Sequence, residues 1–227
     1  MKDYYLKLEE KFLTYQELSK ASIKDNLEKL ISLSGLNIQN FSIDERMQKY
    51  TGDEIYVRTG VAARLLDVQE YLNEILPGTK LEVVYGYRHP VIQKQSYEDI
   101  KRRILKAQPD GWTEIALKEK IHHFIAVPEV AGHPTGGAVD VRLIGADGEE
   151  LPMGTQVHDF VSDSYVFSPF ISKEAWNNRQ KLRQAMMSAG FAPFDGEWWH
   201  FSYGDREWSI FYNRPEAVYD QIEFELS

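Results

Sequence analysis

Residues 132–141, Gly-His-Pro-Thr-Gly-Gly-Ala-Val-Asp-Val, decide how this chain is read. The stretch begins as a turn and ends as a strand. Gly136 and Gly137 allow the backbone to bend between His133 and Asp140, so that both side chains can be aimed at one point. The run GAVDVRL (137–143) then has the alternation and β-branched content of a short strand carrying Asp140. A bare His-x6-Asp is a weak signal. The intervening glycines and the surrounding strand make it a strong one.

Outward from this stretch lies a second dense segment, Asp195-Gly196-Glu197-Trp198-Trp199-His200-Phe201. Of the six histidines (His89, His122, His123, His133, His158 and His200), only His133 and His200 keep such company. Imidazole and carboxylate both suit zinc, and three protein ligands leave one position for water, as catalytic zinc requires. His133, Asp140 and His200 are therefore the candidate metal ligands, for one Zn2+ per chain. Glu197 has a different part. Residues three apart on a regular strand face opposite sides. Glu197 is therefore predicted at a loop-to-strand junction bent by Asp195-Gly196, where its carboxylate serves as general base rather than ligand.

The remaining pattern fills in the frame. Residues 1 to about 48 read as helical, with Leu27, Leu30 and Ile31 on a buried face and Gly35 as the stop. Thr59 caps a second helix with an apolar stripe of Leu65, Val68, Leu72, Ile75 and Leu76, and Pro77-Gly78 ends it. LEVVYGY (81–87) reads as a strand, and 91–107 and 113–126 as helices parted by Pro109-Asp110-Gly111. Ala146-Asp147-Gly148 is a hairpin-like turn. A helix runs from Ser172 to Ala189, burying Trp176, Leu182 and Met186, and WWHFSYG (198–204) and WSIFY (208–212) close as strands. The segregated order predicts an α+β fold, a small antiparallel sheet flanked by helices.

Composition removes several function classes. The net charge of -9 opposes binding to nucleic acid, which rests on clustered Lys and Arg. There is no cysteine, which rules out disulfides, thiolate catalysis and Cys-based zinc sites. No run approaches the ~18 apolar residues of a membrane span, and the first residues carry no apolar core of a secretory signal. A cytoplasmic location is expected for the chain as given. His89 is expected in an exposed loop; of His122 and His123, one should pack and one face water. Trp198 and Trp199 should divide between core and cleft wall. Tyr85 and Tyr87 are strand residues first and candidate substrate contacts second.

Three segments, YGYRHP (85–90), GHPTGGAVDV (132–141) and GEWWHF (196–201), resemble the signature segments of the VanX-type D-alanyl-D-alanine dipeptidases. That family shares its fold with zinc D-Ala-D-Ala carboxypeptidases and the Hedgehog signalling domain. Order and spacing agree over roughly residues 48 to 205, counting the MGT run at 153–155. The resemblance implies a zinc D,D-peptidase domain at 48–227, with 1–47 as an N-terminal helical extension packed on it. It places the zinc ligands on His133, Asp140 and His200, the catalytic glutamate on Glu197 and the transition-state arginine on Arg88. The implied substrate is D-Ala-D-Ala or a similar small D-containing dipeptide, attacked by water activated on the metal.

Two positions depart from the family. Ala131 stands where a serine is common. In MGTQVHDF (153–160), His158 occupies the place of the aspartate that holds the substrate's ammonium group, with Asp159 beside it. Either Asp159 takes over that contact through a one-residue shift, or the site no longer demands a free N-terminus. The second option favours carboxypeptidase-like action on longer peptides, or another dipeptide. A peptidoglycan D,D- or L,D-carboxypeptidase or endopeptidase on longer stem peptides is the second enzymatic reading. A zinc-stabilised binding module without turnover is the rival from outside enzymology.

Overall fold

A computed structural model describes residues 2–226; Met1 and Ser227, the outer ends of the two expected ranges, lie outside the described residues. In chain order the elements are α1 (Lys2–Glu9), α2 (Tyr15–Leu18), β1 (Leu30–Ser32), β2 (Gln39–Asn40), α3 (Gln48–Thr51), β3 (Tyr56–Arg58), α4 (Thr59–Ile75) and β4 (Lys80–Tyr85). They continue with α5 (Pro90–Ala107), α6 (Glu114–His122), β5 (Ala138–Ile144), α7 (Lys173–Ser188), β6 (Ala192–Pro193), β7 (His200–Ser202) and α8 (Arg206–Phe211). No described helix is long and apolar enough to cross a membrane.

Strand alternation builds the centre. Val139, Val141 and Leu143 of β5 point one way, into a core completed by Leu65, Val68 and Leu72 of α4 and Leu182 and Met186 of α7. Asp140 and Arg142 therefore point the other way. Five strands pair in the order β2-β4-β5-β7-β6, all antiparallel except β2, which runs parallel to β4. The α+β expectation holds, with one parallel edge added. Between Val83 and Tyr85 the β4–β5 register shifts, so that Tyr85 pairs with Asp140 after Val83 has paired with Val141. Such an irregularity re-aims a side chain: Val83 stays in the core, and Tyr85 comes to the side of Asp140.

The expected N-terminal helix is corrected. Leu30 and Ile31 lie in β1, paired with β3, and residues 39–40 form β2 at the sheet edge. Leu27 is 80% exposed with φ 62°. Asp25 and Asn26 are the local cause: their side chains accept hydrogen bonds from the Leu27 and Glu28 amides, two residues on in each case. Turns of this kind compete with helix. The backbone here is held from far away, because the Lys24 and Asn26 amides donate to the carbonyls of Ala217 and Val218.

Other expectations shift locally. WSIFY is not a strand: Asp205 accepts from the Trp208 amide and caps α8. Thr59 is the first residue of α4, and its hydroxyl donates to the Lys29 carbonyl instead of capping. Trp176 lies on the exposed side of α7, while Leu182 and Met186 are buried as expected. His89 is buried, not exposed; its ring stacks on Tyr50 at 3.8 Å and its Nδ1 caps α5 by accepting from the Val91 amide. His122 accepts from the Val127 amide while His123 faces solvent.

Candidate metal centre and active site

Pairing across the sheet assembles the site. Asp140 of β5 lies opposite His200 of β7, and Phe201 opposite Val139 in the core, so the alternation that buries Phe201 turns His200 toward Asp140. His200 Nδ1 is 3.0 Å from Asp140 Oδ1. His133 arrives from a single helical turn, His133–Thr135, closed by Gly136 at φ 72°. A side chain at that φ is strained. The turn aims His133 Nε2 to 3.4 Å from the same Asp140 oxygen.

The other ring nitrogens are held from behind. His133 Nδ1 is 2.8 Å from the Gly86 carbonyl. Gly86 has no room for a side chain, since a Cβ would stand 2.6 Å from the Tyr56 carbonyl oxygen. His200 Nε2 faces a Glu207 carboxylate oxygen at 3.6 Å. Histidine ligands ordinarily have such outer partners, which fix tautomer and ring direction.

Donor atoms of His133, Asp140 and His200 all lie within 4.8 Å of one another, so the three can form a metal site. Asp140 Oδ1 lies 3.0 Å from His200 Nδ1 and 3.4 Å from His133 Nε2, close to the roughly 3.5 Å between donors around a tetrahedral zinc with ~2.0–2.2 Å bonds. The three donors differ in charge. Burial opposes a proton on His200, but Asp140 and Glu207 outweigh it and hold the imidazole well above its ordinary range, so a proton must leave that ring when a metal binds. Burial lowers the His133 pKa to about 4, leaving a neutral imidazole with a free lone pair. Burial opposes ionisation of Asp140, but His133, His158 and His200 overcome it and hold the carboxyl well below its usual range.

Glu197 sits where the sequence placed it, before β7. Its amide donates to the Phe194 carbonyl across a turn centred on Asp195-Gly196, and its carbonyl accepts from the His200 amide. Burial raises its pKa to about 7, partly opposed by His200. It lines the same cleft of about 410 Å³ as the three candidate ligands and Arg88. The Arg88 guanidinium lies over the Tyr85 ring at 4.4 Å and donates to Gln93, which in turn donates to the Ala126 carbonyl. Arg88 Nε is buried without a partner among the described residues, a free donor on a residue that lines the cleft.

The expected substrate residues separate. His158 joins the site, with Nε2 2.8 Å from Asp140 Oδ2, left-handed backbone at φ 65° and its ring parallel to Phe160. Asp159 does not. It is exposed, accepts from the Gln156 amide and borders a separate hollow formed by residues 150–156. Tyr87 is also outside, its hydroxyl donating to the Ile222 carbonyl in a cluster with Met47, Tyr50 and Ile92. Trp198 and Trp199 are both core, not one each. Sequence reasoning missed Glu207 and Gln93. Asp205-Arg206-Glu207, an N-cap residue followed by an acidic first turn, was the available signal for the former.

A largely buried His-Asp-His set with a carboxyl group and a cationic donor lining the same cleft is an arrangement suited to metal-assisted hydrolysis. A family model described as D-ala-D-ala dipeptidase matches residues 112–222. A D-alanyl-D-alanine dipeptidase of Synechocystis sp. is 30% identical over 200 residues, covering 77% of this chain and 80% of that protein. One of Escherichia coli is 32% identical over 71 residues, 31% of this chain and 37% of its own length. Among solved structures, the LdcB LD-carboxypeptidase is 19% identical with a TM-score of 0.45, covering 85% of this chain and 77% of that one. The chain belongs to the D-alanyl-D-alanine dipeptidase family and is a metallopeptidase.

Proposed function

We propose that this protein hydrolyses D-Ala-D-Ala, or a similar small D-containing dipeptide, with zinc held by His133, Asp140 and His200. The observation that carries the reading is the convergence of those three side chains with Glu197 and Arg88 on one cleft. The substrate named for its dipeptidase relatives supports it. Zinc in that position would lower the pKa of water from about 15.7 to about 7 and polarise the scissile carbonyl.

The side chains do the rest. Glu197, with its pKa near 7, is matched to taking a proton from the attacking water and returning it to the leaving amine. Arg88 supplies a fixed donor for the negative charge that develops on the carbonyl oxygen. Tyr85 and Gln93 fix the direction of that guanidinium. The reading takes a small peptide as the partner, no nucleic acid, and a cytoplasmic place of action.

Asp159 is turned away from the cleft and His158 stands beside Asp140, so neither offers a free carboxylate to a substrate ammonium group. This favours, as a second reading, carboxypeptidase-like action on peptides without a free N-terminus. The deciding experiment compares amine release from D-Ala-D-Ala by zinc-loaded wild type and by Glu197→Ala. The wild type should turn over and the variant should fall by about 10²–10⁴ in kcat. Folded, zinc-loaded wild type that leaves the dipeptide intact but cleaves N-blocked or longer peptides replaces the first reading with the second.

A further inference from the structure

The first residues of the chain reach the cleft. On one side α1 is pinned to the 162–170 segment: the Tyr5 hydroxyl donates to Asp163 and lies 3.0 Å from the Ser168 hydroxyl, and the Tyr165 hydroxyl donates to Glu9 at 2.7 Å. Phe12 then packs edge-on against Tyr165 at 5.0 Å and beside Phe194 at 5.4 Å. Phe194 is the residue whose carbonyl holds the Glu197 amide.

On the other side α2 is pinned to α5 and α6. Leu18 is buried with Tyr97, Ile121, Val127 and Val130. The amides of Tyr15 and Gln16 donate to the two oxygens of the Glu119 carboxylate. Thr14 and Glu17 form a reciprocal capping box that stops the segment from unravelling between its anchors. Residues 10–14 therefore bridge the two anchorages, and Leu13 and Leu18 line the same cleft as the candidate metal ligands.

We infer that residues 5–18 are a strap that closes one end of the active-site cleft and sets the length of peptide it accepts. The inference rests on the peptidase reading above and assigns its specificity to a particular segment. Three observations carry it. The strap is fixed at both ends by buried or reciprocal contacts, so it is a wall and not a loose tail. The side chains it gives the cleft, Leu13 and Leu18, are apolar and pack in one cluster with Ile125. Such a face receives a small side chain but offers no partners to the peptide groups of a continuing backbone, and burying those unpaired is costly. The cleft volume of about 410 Å³ also lies toward the low end of the ~300–1,000 Å³ range of small-ligand sites.

The test uses the full chain, zinc-loaded and carrying Glu197→Gln so that binding is read without turnover. Calorimetric affinities are compared for D-Ala-terminated peptides of two, three and four residues, in that background and with Leu13→Ala or Leu13→Trp added. Affinity should fall by about tenfold or more from the shortest to the longest, the scale at which a pocket discriminates by size. Leu13→Ala should recover about tenfold for the longest peptide with little change for the dipeptide, and Leu13→Trp, which opens no cavity, should weaken all three. Equal affinity at all lengths, no binding at any length, or length dependence indifferent to both Leu13 variants overturns the strap. Turnover of D-Ala-D-Ala by the wild type is read separately. Turnover without length dependence overturns the strap and leaves the dipeptidase standing; length-dependent binding without turnover does the reverse.

Discussion

The candidate metal pocket and the N-terminal third of the chain owe their conformations to different causes. In the pocket each position has a local reason. Gly136 stands at a positive φ, Gly86 stands against a backbone carbonyl, and Asp140 and His200 share a face through strand alternation. In the N-terminal third the partner decides. Residues 30–32 are a strand because β3 lies beside them, and residues 39–40 because β4 has a free edge. Chemistry constrains the first region position by position, whereas the second is constrained only by what it touches.

The largest effect that can test this contrast is at Arg88. Arg88→Ala should lower kcat on D-Ala-D-Ala by about 10²–10³ with folding intact, as loss of one oxyanion donor does. Steady-state kinetics beside a melting curve measures it. Unchanged turnover would break the comparison, because a pocket residue would then be there for packing alone.

Next in size is Glu207, which faces His200 Nε2 from α8, where the composition of WSIFY pointed to a strand. Glu207→Gln should raise the zinc Kd about 10–100-fold, read by competition with a chromogenic chelator. An unaltered Kd would confine the metal's requirements to its three candidate ligands.

The smallest is at His89, which belongs to the packing side of the contrast. Burial lowers its pKa, against the pull of Glu225 and Glu223. A folded-state pKa below the ordinary ~6.5 means that the unfolded chain binds the proton more readily. The stability that His89 gives is whole above about pH 6.5 and is lost as pH falls toward the lower folded value. His89→Asn keeps an acceptor for the Val91 amide but removes the titration, so Tm of the zinc-loaded protein should fall less steeply on acidification. The difference should be on the order of 2 °C. Parallel slopes would show that His89 stacks on Tyr50 in either protonation state.

The same contrast explains how much was legible. The candidate ligands, Glu197 and its turn, α4, α5, α7 and β5 each announce themselves through spacing, glycine placement or capping. Leu27, Leu30 and Ile31 have the spacing of a helix face, but Asp25 and Asn26 divert the backbone, and pairing with β3 outweighs a helical pattern of three residues. WSIFY has strand composition, and the cap on Asp205 makes it helix. Asp159 is expected in the site through a one-residue shift from the family's aspartate position, and Tyr87 as a strand residue of the YGYRHP segment. A left-handed residue at 158 and a carbonyl at Ile222 send them elsewhere.

The seam between residues 22–26 and 215–218 has a consequence for synthesis. The Ser22 hydroxyl bonds the Pro215 carbonyl across 193 residues, and the neighbouring amides pair with Ala217 and Val218. A chain made from its N-terminus cannot close that seam until residue 218 has left the ribosome, and contacts so distant in sequence are slow to form. His133 and Asp140 emerge well before His200. The growing polypeptide therefore carries His133 and Asp140 on an unfinished sheet before His200 has emerged to pair beside Asp140.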